Sequence, residues 1–375
     1  MSVKRHMALS ILVLFSVHHL MSQSNKCRVS KTSYRMSSNI PDADESLFIP
    51  VVFHVIFNDD EQNISLAQIQ SQLVILNQDF NRANANWNST IEEFKELVAN
   101  CKITFYLHSN SSIPNGIRRV ATDHGPFVNS DVHYDELGGS NAMTSENVLN
   151  IWVADLGGDV FGYSQSEPTY SAAESGVVID YEHFGTLGTV KPPYNGGRTL
   201  THEIGHWLGL SHLWGNGGCE SDDGIEDTPN QEAPVYQCDL THSSCGSLDA
   251  VQNLMNLGPD VCMTFFSSGQ KAHMRQYLLE EKPGLIKYKP VLNAEKYIEP
   301  FIYPNPAKQE LYVSFTSAKS NVEMWDMAGT KVNLNIDELK PHLLKVTPRL
   351  SGGGSFIIRI NDKGLVYEQK IILTN

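Results

Sequence analysis

Thr201-His202-Glu203-Ile204-Gly205-His206-Trp207-Leu208-Gly209-Leu210-Ser211-His212 places three histidines and one glutamate within a single short segment. Positions four apart on a helix share a face, so His202 and His206 can each aim an imidazole nitrogen at one ion. Glu203 projects beside them, close enough to hold a metal-bound water and take its proton. Gly209 permits a sharp reversal of the chain, which would bring in His212 as a third ligand from another direction. Three neutral imidazoles leave a fourth zinc position open, the arrangement of a catalytic rather than a structural site. The bland alternative is three unrelated histidines on an amphipathic helix. From this composition the five fixed positions would recur by chance in about one chain in ten thousand.

Working outward, a helix is expected over 197–213, with Thr199 as its cap. Residues 48–57, Phe-Ile-Pro-Val-Val-Phe-His-Val-Ile-Phe, are β-branched and aromatic and read as a buried strand. Ser65 then caps a helical pattern carrying Ile69, Leu73, Leu76 and Phe80 on one face. Further strands are expected at 103–107, 149–153 and 176–180, and a helix at 268–281 stopped by Pro283. Strands interleaved with helices predict a mixed α/β (α+β) domain. Past Pro283 the periodicity lapses over a linker at 284–300. Short β runs then follow at 311–315, 322–325, 356–360 and 370–373, which predict a small all-β sandwich. The expected division is 46–290 for the first domain and 296–375 for the second.

The 375 residues allow two or three folding units, and 41% hydrophobic residues supply a large core. A net charge of −14 argues against nucleic-acid binding and against electrostatic docking on anionic lipid. Lys4 and Arg5 precede an apolar run from Met7 to Val17, with small residues near Ser22. This pattern reads as an export signal over 1–22, and the run is too short for a membrane span. No later segment is long and apolar enough to span, so the mature protein is expected to be secreted or held at the cell surface. Of six cysteines, Cys219, Cys238, Cys245 and Cys262 cluster. In an exported chain such a cluster reads as disulfides, and four cysteines allow three pairings. His242 lies between Cys238 and Cys245, but no CxxC spacing supports a structural zinc site.

The extended histidine motif resembles that of the metzincin metallopeptidases, and within them the pappalysin-type (cytophagalysin-like) branch. The resemblance covers roughly residues 46–285. It rests also on Gly197-Arg198-Thr199-Leu200-Thr201 before the motif, on Asp227-Thr228-Pro229 after it, and on Asn253-Leu254-Met255-Asn256 followed by Cys262-Met263. It implies a zinc endopeptidase acting on proteins or peptides, with Glu203 as general base and Met255 in the methionine turn beneath the metal. It also implies Cys219–Cys245 and Cys238–Cys262 disulfides, and a calcium site with Asp222, Asp223 and Thr228 as candidate ligands. Acidic loops are commonly just solvated, which is the competing reading there. Cys27, in a pro-segment at 23–45, matches a thiol that caps zinc in latent relatives. A disulfide with Cys101 and an idle thiol are the alternatives. One departure is Leu257, where such enzymes often carry a tyrosine two residues after the turn methionine. Losing one oxyanion donor can cost about 10²–10³ in rate.

The C-terminal part resembles the sorting domain of the type IX secretion pathway, on Tyr303-Pro304-Asn305-Pro306-Ala307, Met327-Ala328-Gly329 and Lys370-Ile371-Ile372. It implies the secretion machinery as a partner. A carbohydrate-binding sandwich is the rival, although few aromatics are available to stack on sugar. For the whole chain the rival function is a catalytically weak surface adhesin that keeps the metal site. In the resembled family, the segment Leu257-Gly258-Pro259-Asp260-Val261 walls the pocket for the residue after the scissile bond. Asp260 facing inward would attract Lys or Arg, whereas Val261 would favour an apolar side chain. Val261 is expected to face inward, giving preference for a medium apolar residue.

Overall fold

The structure is a computed structural model describing residues 27–28, 45–286 and 301–374, apart from 109–112, 114, 145, 166–168 and short stretches of the last segment. The export signal at 1–22, most of the pro-segment and the linker at 287–300 lie outside the described residues. The chain divides into two units, Met1–Tyr288 and Lys289–Asn375.

In the first unit the elements run β1 (Cys27–Arg28), β2 (Leu47–Phe57), α1 (Leu66–Phe80), α2 (Glu92–Lys95), β3 (Ile103–Leu107), β4 (Ile117–Ala121), β5 (Leu149–Ala154), β6 (Gly162–Gln165), β7 (Gly176–Asp180), α3 (Arg198–Trp207), β8 (Ser243–Ser244), β9 (Ser247–Leu248) and α4 (Ser268–Glu280). The main sheet has the order β1-β6-β7-β5-β2-β3, with β4 also on β2. Pairing is parallel except between β6 and β7. Parallel strands with both faces covered need apolar residues at nearly every position. That is why β2 reads as an unbroken apolar run. Ile49, Val51, Phe53 and Val55 enter the main core with Ile69, Leu76, Leu200 and Ile204 from the helices. Ile56, Trp152 and Val178 pack on the opposite face.

Ser65 caps α1, its hydroxyl accepting from the Gln68 N–H at 3.1 Å. Two expectations for α3 are corrected. It ends at Trp207 rather than near 213, because Gly209 turns the chain at φ 90°. Thr199 is not its cap; Gly197 holds that position at φ 75° with no side-chain hydrogen bond. Among the described residues, no helix is long and apolar enough to cross a membrane.

On the face away from α1 and α3, two buried histidines flank Trp152. His54 stacks on the indole at 5.1 Å, and His133 meets it edge-on at 4.4 Å. His54 Nε2 donates to Asn150 Oδ1 at 3.0 Å, leaving Nδ1 to accept from Ser140 Oγ at 2.8 Å. Burial lowers both imidazoles to about 4. Arg118 and Asp135 act on His54 in opposite senses, and Glu174 acts on His133. The folded values lie below the unfolded value of 6.5, so the unfolded chain binds protons first as pH falls. Stability contributed by the neutral rings is complete above 6.5 and is lost between 6.5 and 4. The loss is about 3 kcal/mol for each ring. Urea unfolding at stepped pH should show this slope, and His133→Met should flatten it. An unchanged slope in that variant would rule out His133 as a source.

The second unit holds β10 (Phe301–Tyr303), β11 (Leu311–Ser314), β12 (Asn321–Asp326), β13 (Leu334–Lys340), β14 (Leu343–Pro348), β15 (Gly354–Asp362) and β16 (Leu365–Leu373). They form two antiparallel sheets, β10-β11-β14-β13 and β12-β15-β16. Leu311, Val313 and Val346 from one sheet share a core with Met324, Ile358 and Ile371 from the other. Residues 304–306 of the Tyr-Pro-Asn-Pro motif lie outside the described residues.

Candidate metal centre

Helix α3 is fixed at its start by groups distant in sequence. Asp260 Oδ2 accepts from the Gly196 N–H at 2.6 Å and the Arg198 N–H at 3.2 Å. This carboxylate does the work expected of a capping side chain, satisfying N–H groups that a helix start leaves open. The Arg198 guanidinium is buried against Asp79 of α1, whose other oxygen accepts from the Thr201 hydroxyl at 2.8 Å. Leu200, Ile204 and Trp207 then point into the core. His202, Glu203 and His206 are buried on the other side of the helix.

Beyond Trp207 the Leu210 N–H bonds to Gly205 O at 3.0 Å, and the chain returns so that His212 faces the helix. The three Nε2 atoms form a triangle: 3.0 Å between His202 and His206, 3.2 Å between His202 and His212, and 3.1 Å between His206 and His212. His202 Nδ1 lies 2.8 Å from Leu254 O, and His206 Nδ1 lies 2.8 Å from Leu210 O. A carbonyl only accepts, so each Nδ1 carries the proton and each Nε2 presents a lone pair. Two lone pairs at 3.0 Å repel unless a cation lies between them. A tetrahedral ion at about 2.0–2.1 Å from each nitrogen would set them roughly 3.3 Å apart, close to the observed triangle. The donor set therefore fits a metal ion. Burial lowers all three imidazoles, His202 to about 4, and so keeps them as neutral ligands.

Both oxygens of Glu203 are buried without a hydrogen bond of regular geometry. Burial raises this carboxyl to about 8, partly offset by the Cys27 thiol beside it. Strand β6 presses on the same side chain, since a Cβ on Gly162 would lie 3.3 Å from Glu203 Cγ. In β1, Cys27 is paired in parallel with Gly162. That register brings its sulfur to the three histidines, with all four ligand atoms within 4.8 Å of one another. Cys27 and Cys101 are both free, which corrects the alternative of a disulfide between them.

Met255 is fully buried beneath α3. A Cβ on Gly205 would lie 2.5 Å from its sulfur, so only glycine lets the helix sit this low. Of the three pairings open to the clustered cysteines, the structure has Cys219–Cys245 and Cys238–Cys262. His242 instead bonds Asp249 Oδ2 at 2.6 Å. In the acidic loop, Asp223 accepts from the Thr228 hydroxyl at 2.8 Å and the Ile225 N–H at 3.0 Å, while Asp222 accepts from the Gly224 N–H.

A pocket beside the histidines is lined by Phe161, Tyr194, Arg198, Leu257, Asp260 and Met263, among others. Here the expectation for Val261 is overturned. Val261 is 78% exposed, whereas Asp260 is 4% exposed and lines the pocket. The hydrogen bonds from Gly196 and Arg198 draw Asp260 inward, and the next side chain on the turn must then face out. Sequence reading missed the roles of Asp79 and of the Leu254 and Leu210 carbonyls. A carbonyl carries no sequence signal, and Asp79 lies on a different helix.

The peptidase family M43 description, pregnancy-associated plasma protein-A, matches residues 176–279. A secretion system C-terminal sorting domain matches residues 301–374. The extracellular metalloprotease of Arthroderma benhamiae is 28% identical over 244 residues, which cover 63% of this chain and 79% of the relative. That of Uncinocarpus reesii is 30% identical over 190 residues, 44% of this chain and 67% of the relative. Among solved structures, mature mirolysin of Tannerella forsythia with a cleaved peptide is 37% identical, with a TM-score of 0.60, covering 65% of this chain and all of that one. A promirolysin mutant from the same organism is 34% identical, with a TM-score of 0.63, covering 76% of this chain and 94% of that one. Similarity of that extent, over both the histidine helix and the whole length of a solved relative, makes this chain a member of peptidase family M43, a secreted metalloendopeptidase with a type IX sorting domain.

Proposed function

We propose that the metal is zinc, held by His202, His206 and His212, and that Glu203 is the general base of peptide-bond hydrolysis. The observation that carries this reading is the meeting of three lone-pair nitrogens beside a buried carboxylate that, among the described residues, only the Cys27 thiol approaches. Bound there, zinc would polarise the scissile carbonyl and acidify a water. Glu203 takes a proton from the attacking water and returns it to the leaving amine nitrogen. The backbone around Leu254 and Leu210 holds the histidine tautomers throughout. Metal analysis of the purified chain tests the assignment: one zinc per chain is expected, and none in His202→Ala.

Cys27 is proposed as the thiol that keeps the precursor latent. Its sulfur would fill the fourth ligand position, where the attacking water has to sit. The match to the promirolysin structure is wider than to the mature one, 76% against 65% of this chain, which is compatible with a pro-segment in the precursor. Precursor carrying Cys27→Ala should hydrolyse peptides at once, faster than unprocessed parent. Equal latency of the two, assayed before any processing, would remove Cys27 from this role.

Calcium is proposed for Asp222, Asp223 and Thr228. Burial raises the Asp223 carboxyl to about 7, and a bound dication would favour its charged form. Added calcium should then raise the melting temperature of the parent but not of Asp223→Asn. Identical responses would discard the site.

A further inference from the structure

The helix histidines and the third histidine are held in place by different means. His202 and His206 each donate from Nδ1 to a backbone carbonyl. His212 has contacts at Nε2 with the other two rings, and no hydrogen bond at Nδ1 among the described residues. It also sits on a loop past the Gly209 reversal, so no helix restricts its ring. What meets its face is Trp214, with ring centroids 4.2 Å apart and planes 14° from parallel. The indole is itself anchored. Trp214 packs against the main core, and its carbonyl accepts from the Gly217 N–H at 2.7 Å, just after Gly215 N–H bonds to His212 O at 2.9 Å.

We propose that Trp214 is the positioning residue for His212, a stacking platform in place of the hydrogen bond that orients the other two imidazoles. The stack does more than fill space. An imidazole that donates its lone pair to a dication becomes electron-poor, and the electron-rich indole face attracts it more strongly than it attracts the free ring. The platform therefore favours the metal-loaded state, so it acts on affinity and not only on folding. Metal-binding histidines nearly always have an outer hydrogen-bond partner, whose removal commonly costs about 10–100-fold in metal affinity, and for His212 the indole stack stands in that place. The two-residue offset from His212 to Trp214 is readable in the sequence, but nothing local shows that the rings would stack.

The proposal rests on the zinc reading above, and the experiment separates the two. Zinc affinity of the full chain is measured by competition with a chelator for the parent, Trp214→Ala, Trp214→Phe, Trp214→Leu and His202→Ala. Trp214→Ala is expected to bind zinc about 10–100-fold more weakly, a loss that Trp214→Leu, which restores apolar bulk, should share. Trp214→Phe should recover most of the affinity and Trp214→Leu should not. Parent-like affinity in Trp214→Ala, or equal recovery by Leu and Phe, would overturn the proposal. If Trp214→Ala does not fold, the comparison of Phe with Leu decides alone. Retention of zinc by His202→Ala would mean that the zinc reading itself has failed.

Discussion

Glu203→Gln should yield a protein that folds, keeps its metal and hydrolyses peptides about 10²–10⁴-fold more slowly than the parent. The amide has nearly the shape of the carboxylate, so the neighbours of Glu203 lose no packing. It cannot accept the proton of the attacking water, and the leaving amine then has no donor in reach. The ligands are spared, because Glu203 is not among the converging nitrogens and its oxygens hold no other side chain in place by regular hydrogen bonds. Stability should rise slightly if it changes at all, since a buried carboxyl resists ionisation more than an amide resists burial. Turnover near the parental rate in a metal-loaded Glu203→Gln would defeat the assigned chemistry. Loss of metal together with activity would instead show that the carboxylate supports the site and is no simple base. Assays on Cys27→Ala precursor remove latency as a confounder.

The parts of this fold that the sequence disclosed are those whose causes are local. Strand β2 is covered on both faces and so is apolar throughout. Helix α1 announces itself through Ser65 and one apolar face. His202 and His206 belong together by helical spacing alone, and Gly209 marks where the chain must turn. Strand β6 has no sequence signal, because Gly-Tyr-Ser-Gln has neither alternation nor β-branched residues. It is a strand only through its partners β7 and β1, and yet it carries Cys27 to the three histidines. β13, with the sequence Leu-Asn-Ile-Asp-Glu-Leu-Lys, was hidden by its charge. α3 ends earlier than the run of histidines suggests, because the histidines continue to His212 after the helical backbone has stopped. The cap of α3 escapes the sequence for the opposite reason. Asp260 reaches the helix start from beyond Met255, and a contact between such distant segments leaves no local trace.

That same carboxylate should set the cleavage preference: Lys or Arg directly after the scissile bond, rather than the apolar residue expected from Val261. Asp260 is buried in the wall of the pocket, and both of its hydrogen bonds fall on Oδ2, leaving Oδ1 to meet a ligand. Burial raises its carboxyl, against the lowering effect of the two backbone N–H groups and of Arg198. The Arg198 guanidinium is committed elsewhere, to Asp79 and to Asn86 Oδ1. Asp260 therefore feels Arg198 and His183 only at a distance, with no cation in contact among the described residues, and a buried charge demands a partner. A lysine or arginine side chain entering the pocket would supply the missing positive charge, whereas a leucine would leave Asp260 desolvated and unpaired. Removing one member of such a pair commonly costs about 2–4 kcal/mol, or roughly 30–1000-fold. Asp260→Asn keeps an oxygen for the helix start and removes only the charge. It should lose the basic preference by that factor while cleaving apolar sites about as well as the parent. Profiling both proteins on a peptide library, with Cys27→Ala in each, reads the result directly. Selection for medium apolar residues by the parent would show that Asp260 serves the helix alone.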